Sequence, residues 1–90
     1  MKPFQSVKFK KDLKRAKRRK KDISKLENVV VLLLDGEELP SRYKDHRLSG
    51  DYAGFRECHL EPDWLLIYRI QGEVLYLSRT GTHADIFRKF

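Results

Sequence analysis

The sequence predicts an α+β fold in one small domain, residues 1–90, with two N-terminal helices packed on a twisted antiparallel sheet of three to five strands. Two observations carry this. Apolar residues recur at three- and four-residue intervals as far as Leu34, then at intervals of two from Phe55 onward. Gly, Pro and Asp fall between these runs as punctuation, with no repeat and no low-complexity linker. Ninety residues are about enough for one core without staples. With 40% hydrophobic residues, ten of the ninety being aromatic, the chain is too apolar for wholesale disorder.

Taken in order, the mixed segment Lys2 to Val7 offers, over residues 3–7, an added edge strand. From Lys8 to Lys21, Phe9, Leu13 and Ala16 fall at i, i+4 and i+7 on one helical face while bases fill the rest, an amphipathic helix with a thin apolar stripe. A second helix starts near Asp22 or Ser24, since either can cap, and Ser24 and Glu27 have capping-box spacing. Leu26, Val29, Val30, Leu33 and Leu34 continue it until Asp35-Gly36. The unbroken run Val29 to Leu34 would also suit a buried strand, but the cap and spacing favour the helix. Glu37 to Tyr52, with Pro40, Gly50 and seven charged residues, is a long surface loop or irregular turn of the sort that carries function. Phe55–Leu60, Trp64–Ile70 and Val74–Arg79 are consecutive hairpin strands separated by Glu61-Pro62-Asp63 and Gln71-Gly72. The tail from Thr82 forms one helical turn through Ala84, Asp85 and Ile86. With both helices on one sheet face, the other is left open for a ligand.

Charge is distributed unevenly. The net charge is +7, yet Met1 to Lys21 holds eleven bases and one acid (+10) and the other 69 residues nine bases and twelve acids (−3). A basic stripe on a nearly neutral body is the footprint of a polyanion binder, although solvated basic helices share the pattern. The candidate contacts are Lys8, Lys10, Lys11, Lys14, Arg15, Lys17, Arg18, Arg19, Lys20 and Lys21. No apolar run approaches the roughly 20 residues that span a bilayer, and no signal-peptide core follows the basic start, so no membrane partner is expected. The single Cys58 cannot form an internal disulfide and reads as a small buried residue, which fits a reducing, cytoplasmic setting.

All three histidines lie in the C-terminal half, each near a carboxylate: His46 beside Asp45, His59 two residues from Glu57, and His83 after the last strand; Asp63 occupies the turn after His59. Strand alternation puts Phe55, Glu57 and His59 on one face and Arg56, Cys58 and Leu60 on the other. The second set suits the helices, so Glu57 and His59 point to the open face, with Asp63 at its edge. Imidazoles exchange protons near neutral pH, and a neighbouring carboxylate fixes their tautomer. RNA cleavage needs little else: a base for the 2′-hydroxyl, cations for the phosphate and an acid for the departing 5′-oxygen. Arg79, Arg56 and Arg47 are the nearest cations in sequence. Taken singly, a histidine in so small a domain is more often structural, Asp63 suits a turn, and Phe87 suits the core. No histidine pair has the i, i+4 spacing of a helical metal site, so neither a metal nor another cofactor is expected.

The runs Tyr43 to Gly50 (YKDHRLSG), Phe55 to Tyr68 (FRECHLEPDWLLIY) and Arg79 to Phe87 (RTGTHADIF) resemble the YafQ branch of the RelE-like bacterial toxins. Each block carries a histidine, and together they are more specific than any one motif. The resemblance implies a RelE-like two-layer sandwich and a ribosome-dependent mRNA endonuclease of a type II toxin–antitoxin pair. By position, His46, His59, Asp63 and His83 match the family's catalytic set, Phe87 the aromatic that positions the last histidine, and Glu57 a carboxylate of the site. On these matches Asp63 or His59 is the expected base, His83 the acid, and His46 with Arg79 the phosphate contact; Glu57, Phe87 and, as a cation near in sequence, Arg56 are expected to position substrate. The expected partners are a cognate DinJ/RelB-like antitoxin, the ribosome and its mRNA, and operator DNA through the antitoxin complex. Other readings are a nucleic-acid-binding module without chemistry, and a toxin homologue acting as operon co-repressor.

Overall fold

The computed structural model describes residues 1–88. Strand β1 (Lys2–Gln5) leads to helices α1 (Val7–Arg18) and α2 (Ile23–Leu34), then a loop region holding the two-residue strand β2 (His46–Arg47). Strands β3 (Arg56–Glu61), β4 (Trp64–Gln71) and β5 (Val74–Gly81) and the short helix α3 (His83–Phe87) complete it. The sheet order is β1-β5-β4-β3-β2. The four strands β2 to β5 are antiparallel, as expected, while β1 adds to the edge parallel to β5, with Phe4 opposite Tyr76. Parallel addition follows because the chain leaves β1 and enters α1 directly. Pro3 is tolerated because an edge strand has one unpaired side.

Helix α1 is capped by Ser6, whose hydroxyl accepts from Phe9 N at 3.0 Å and donates to Ser78 O at 2.8 Å, tying its start to β5. It buries Phe9, Ala16 and Asp12, with Leu13 half-buried. It stops at Arg18, earlier than the bases suggest, because Lys20 turns through left-handed backbone (φ 60°) to reach the Asp22 cap of α2. In α2 the buried Leu26, Val29 and Leu33 confirm the helical reading of the apolar run. Gly36, at φ 74°, ends it.

Both helices pack on Cys58 and Leu60 of β3, Trp64, Leu66 and Tyr68 of β4, and Leu75 and Leu77 of β5. Burying a side chain of this size stabilises the fold by about 1.5–3 kcal/mol. The opposite sheet face is not wholly open: Leu65 and Ile67 of β4 meet Ile86, with Leu48, Tyr52, Phe55 and Phe87 packed around them. A central strand buried on both faces, Trp64 to Tyr68, requires this second cover. It fixes α3 and residues 48–55 over one part of the face and leaves the rest exposed.

Candidate active site

Strand parity holds. Cys58 points into the helix-side core, where burial pushes its thiol up to about 12, and Glu57 and His59 lie on the other face. In the β2–β3 ladder His46 is the direct partner of Glu57. Lys44 turns through left-handed backbone (φ 51°), and its carbonyl lies 2.7 Å from His46 Nδ1. A carbonyl can only accept, so Nδ1 carries the proton and Nε2 is left, 3.8 Å from Glu57 Oε1. That same oxygen accepts from His59 Nε2 at 3.0 Å. Glu57, 5% exposed, is thus the buried carboxylate between two imidazoles.

The third imidazole arrives from α3. Pro62 and Asp63 connect β3 to β4, and Asp63 Oδ1 accepts from His83 N at 2.9 Å and lies 2.6 Å from His83 Nδ1. These two bonds, the backbone one first, hold Asp63 below the usual carboxylate range. They also leave His83 Nε2 for a ligand. The rings form a row, with centroids 6.3 Å apart for His46 and His59 and 5.8 Å for His59 and His83. Phe87 continues it, 6.4 Å from His83 and 5.6 Å from Tyr52.

No metal was expected from the histidine spacing, yet one donor atom each of Glu57, His59 and His83 lie within 4.8 Å of one another. Two imidazoles and a carboxylate suit a transition ion such as zinc or copper. Such a set is invisible to helical spacing because its members come from β3 and α3.

Two arginines expected near the phosphate have other partners. Arg79 donates from Nε and one terminal nitrogen to Asp12 at 2.7 and 3.2 Å. Asp12, 3% exposed, also accepts from Thr80 N and Arg15. Arg79 therefore fastens α1 to β5, because the one acid of the basic helix neutralises a guanidinium that burial would otherwise penalise. Arg56 lies on the other side of β3 and is bound by Asp45, which also accepts from the Tyr68 hydroxyl at 2.7 Å. This trio holds the residue beside His46, so Arg56 acts on the site through the backbone.

Of the basic stripe, Lys8, Lys10, Lys11, Lys14, Lys17, Arg18 and Lys20 are exposed, while Arg15 and Arg19 pair with Asp85 and Lys21 with Glu61. Sequence reading missed Asp85, although Thr82 and Asp85 have capping-box spacing, and the box forms at the start of α3. It also missed a cleft beside His59, between Lys25 and Asn28 of α2 and the segment Arg42-Tyr43-Lys44. Arg42 and Lys44 place positive charge there, and Arg42 stacks on Tyr43 at 4.8 Å.

A family model described as "Bacterial toxin of type II toxin-antitoxin system, YafQ" matches residues 1–88. The "mRNA interferase toxin YafQ" of Escherichia coli strain K12 is 46% identical over 83 residues, 91% of this chain and 90% of the relative. Among solved structures, the E. coli DinJ-YafQ complex superposes with a TM-score of 0.88 at 44% identity, covering 94% of this chain and 96% of that one. A metal-bound toxin from Helicobacter pylori also gives 0.88, at 42% identity over 97% of this chain and 98% of that one. The chain therefore belongs to the YafQ family of bacterial toxins of type II toxin–antitoxin systems.

Proposed function

We propose that the chain is an mRNA interferase, a toxin that cuts RNA by attack of the substrate's own 2′-hydroxyl, as the name of its E. coli relative suggests. The observation that carries the mechanism is the way the imidazoles are held. Each of His46, His59 and His83 is bound through one ring nitrogen by a protein acceptor: Lys44 O, Glu57 and Asp63. The other nitrogen of the His59 and His83 rings is left to a substrate, and His46 Nε2 has Glu57 Oε1 beside it at 3.8 Å.

His59, oriented by Glu57, takes the 2′-hydroxyl proton as the oxygen attacks phosphorus. His83, held by Asp63 and backed by Phe87, protonates the departing 5′-oxygen. His46 meets a phosphate oxygen through Nε2, and Arg42 and Lys44 of the adjoining cleft supply positive charge. Asp63, with its carboxylate already engaged, is a positioning residue in this scheme. The bond made is 2′-O to phosphorus and the bond broken is phosphorus to 5′-O, giving a 2′,3′-cyclic phosphate and a 5′-hydroxyl.

The site is shallow and offers few groups to align a flexible strand, which favours cleavage on the ribosome, where the message is already ordered. The exposed lysines of α1 suit ribosomal RNA. A DinJ-like antitoxin is the partner that the E. coli complex suggests, and operator DNA is reached through that complex. In a primer-extension assay on translated mRNA, His83→Gln should lower cleavage about 10²–10⁴-fold while ribosome association stays near wild type. Full cleavage by this variant would remove His83 from the mechanism.

A further inference from the structure

Beyond the histidine row, the same sheet face carries a second line of side chains. Phe4 of β1 is the register partner of Tyr76 of β5, and Tyr76 is the partner of Arg69 of β4. The Phe4 and Tyr76 rings meet edge to face at 5.7 Å, and the Arg69 guanidinium lies 5.1 Å from the Tyr76 ring and 5.2 Å from that of Phe55. Arg69 lies four residues along β4 from Leu65, the register partner of His59, roughly 13 Å away at the rise of a strand. The two lines are joined through Phe55 to Tyr52 at 6.1 Å and Tyr52 to Phe87 at 5.6 Å.

Two features of this line are unexplained by packing. Arg15, Arg19, Arg56 and Arg79 are each bound by a carboxylate. Arg69 meets none among the described residues, and its Nε is buried without a hydrogen-bond partner. A guanidinium whose carbon lies 5.1 and 5.2 Å from two ring centroids, with no acid among the described residues to neutralise it, has its terminal nitrogens, not the buried Nε, to offer an external anion. Second, Phe4 is 56% exposed on an edge strand, where an apolar ring gains little from the fold. Alternating rings and a cation continuous with a candidate RNA-cleaving site match a single-stranded nucleic acid, whose bases stack on aromatic faces and whose phosphates seek guanidinium.

We propose that Phe4, Tyr76 and Arg69 form a second contact for the substrate, in which Arg69 binds a backbone phosphate and the two rings stack on unpaired bases of the RNA leading away from the scissile bond. This rests on the reading of the chain as an RNA-cleaving toxin. The test is fluorescence anisotropy of a short, labelled single-stranded RNA, 2′-O-methylated throughout so that it cannot be cut, titrated with the full chain over a salt series. Phe4→Ala and Tyr76→Ala should each weaken binding about five- to tenfold at fixed salt and leave the salt slope unchanged. Arg69→Gln should make the slope of log affinity against log salt shallower by about 0.7, and Arg69→Lys should restore it. Should Arg69→Gln fail to fold by circular dichroism, Phe4→Ala decides, since its exposed ring can be removed without opening the core. Wild-type affinity in Phe4→Ala, or no RNA binding by the wild-type chain, overturns the proposal. His83→Gln in the primer-extension assay on translated mRNA separates the two readings, because a failure of the catalytic scheme shows there as undiminished cleavage by that variant, whatever the binding series gives.

Discussion

The two oxygens of Asp63 and Glu57 that meet histidines set what those histidines can do. Asp63 Oδ1 takes both the backbone and the ring proton of His83, so one carboxylate fixes position and tautomer together. Glu57 Oε1 does the same for the His59 ring. The face of His59 and Glu57 was legible from strand alternation, and so was the arrival of Asp63 at its edge. The partner of Arg79 was not, because Asp12 is 67 residues away and only the packing of α1 on β5 unites them. The metal-capable set makes a prediction at this scale. A transition ion on Glu57, His59 and His83 would occupy lone pairs that acid–base cleavage requires. Cleavage on ribosomes in magnesium buffer should therefore persist with a chelator selective for zinc and copper and fall on adding zinc, with recovery on chelation; loss of cleavage with that chelator alone would instead place a transition metal in the reaction.

Helix α3 is only five residues long, too short to hold His83 by its own hydrogen bonds. Its start is fixed from outside. Asp85 closes the capping box on Thr82 and accepts from Arg19 through both oxygens, at 2.7 and 3.3 Å. The Arg19 hydrogen bond is the largest influence holding the Asp85 carboxyl well below its usual range. A carboxylate lowered in this way stabilises the fold above its unfolded value, about pH 4, and that contribution is lost as pH falls through the lower, folded value. Urea denaturation of wild type should thus show an acid limb below about pH 4 that Asp85→Asn flattens; identical limbs would remove Asp85 from the anchor. Gly81 belongs to the same unit, since a Cβ there would stand 2.9 Å from Asp85 Oδ2 and 3.1 Å from Arg15. Gly81→Ala should displace the cap and, with it, His83, lowering cleavage more than RNA binding. Among the elements, α2 was legible because its cap and apolar spacing are local. Strand β2 was not, since two residues carry no period and pair only through register with β3. The parallel setting of β1 depends likewise on a partner 72 positions later in sequence.

At the scale of the whole molecule, the main basic run and the histidines are on different elements. The densest run of exposed bases belongs to α1 and the turn after it, while the histidines sit on β2, β3 and α3, with only Arg42, Lys44 and Arg47 as exposed arginines and lysines of the loop around His46. No helix of the described residues is long and apolar enough to cross a membrane. If α1 holds a polyanion and the histidines cut, the two functions should separate. Replacing Lys10 and Lys14 by Glu should weaken ribosome association, with a shallower salt dependence, and leave the rate at saturating toxin within about twofold of wild type, because these lysines touch no reacting atom. A fallen saturating rate with unchanged association would reverse that assignment. The central claim, that three imidazoles and the substrate's own 2′-hydroxyl suffice for cleavage, is tested most directly by the chemistry of the ends produced on translated mRNA in magnesium buffer with a chelator selective for zinc and copper. The mechanism predicts a 2′,3′-cyclic phosphate upstream and a 5′-hydroxyl downstream, both absent with His83→Gln; a 3′-hydroxyl and a 5′-phosphate would contradict it.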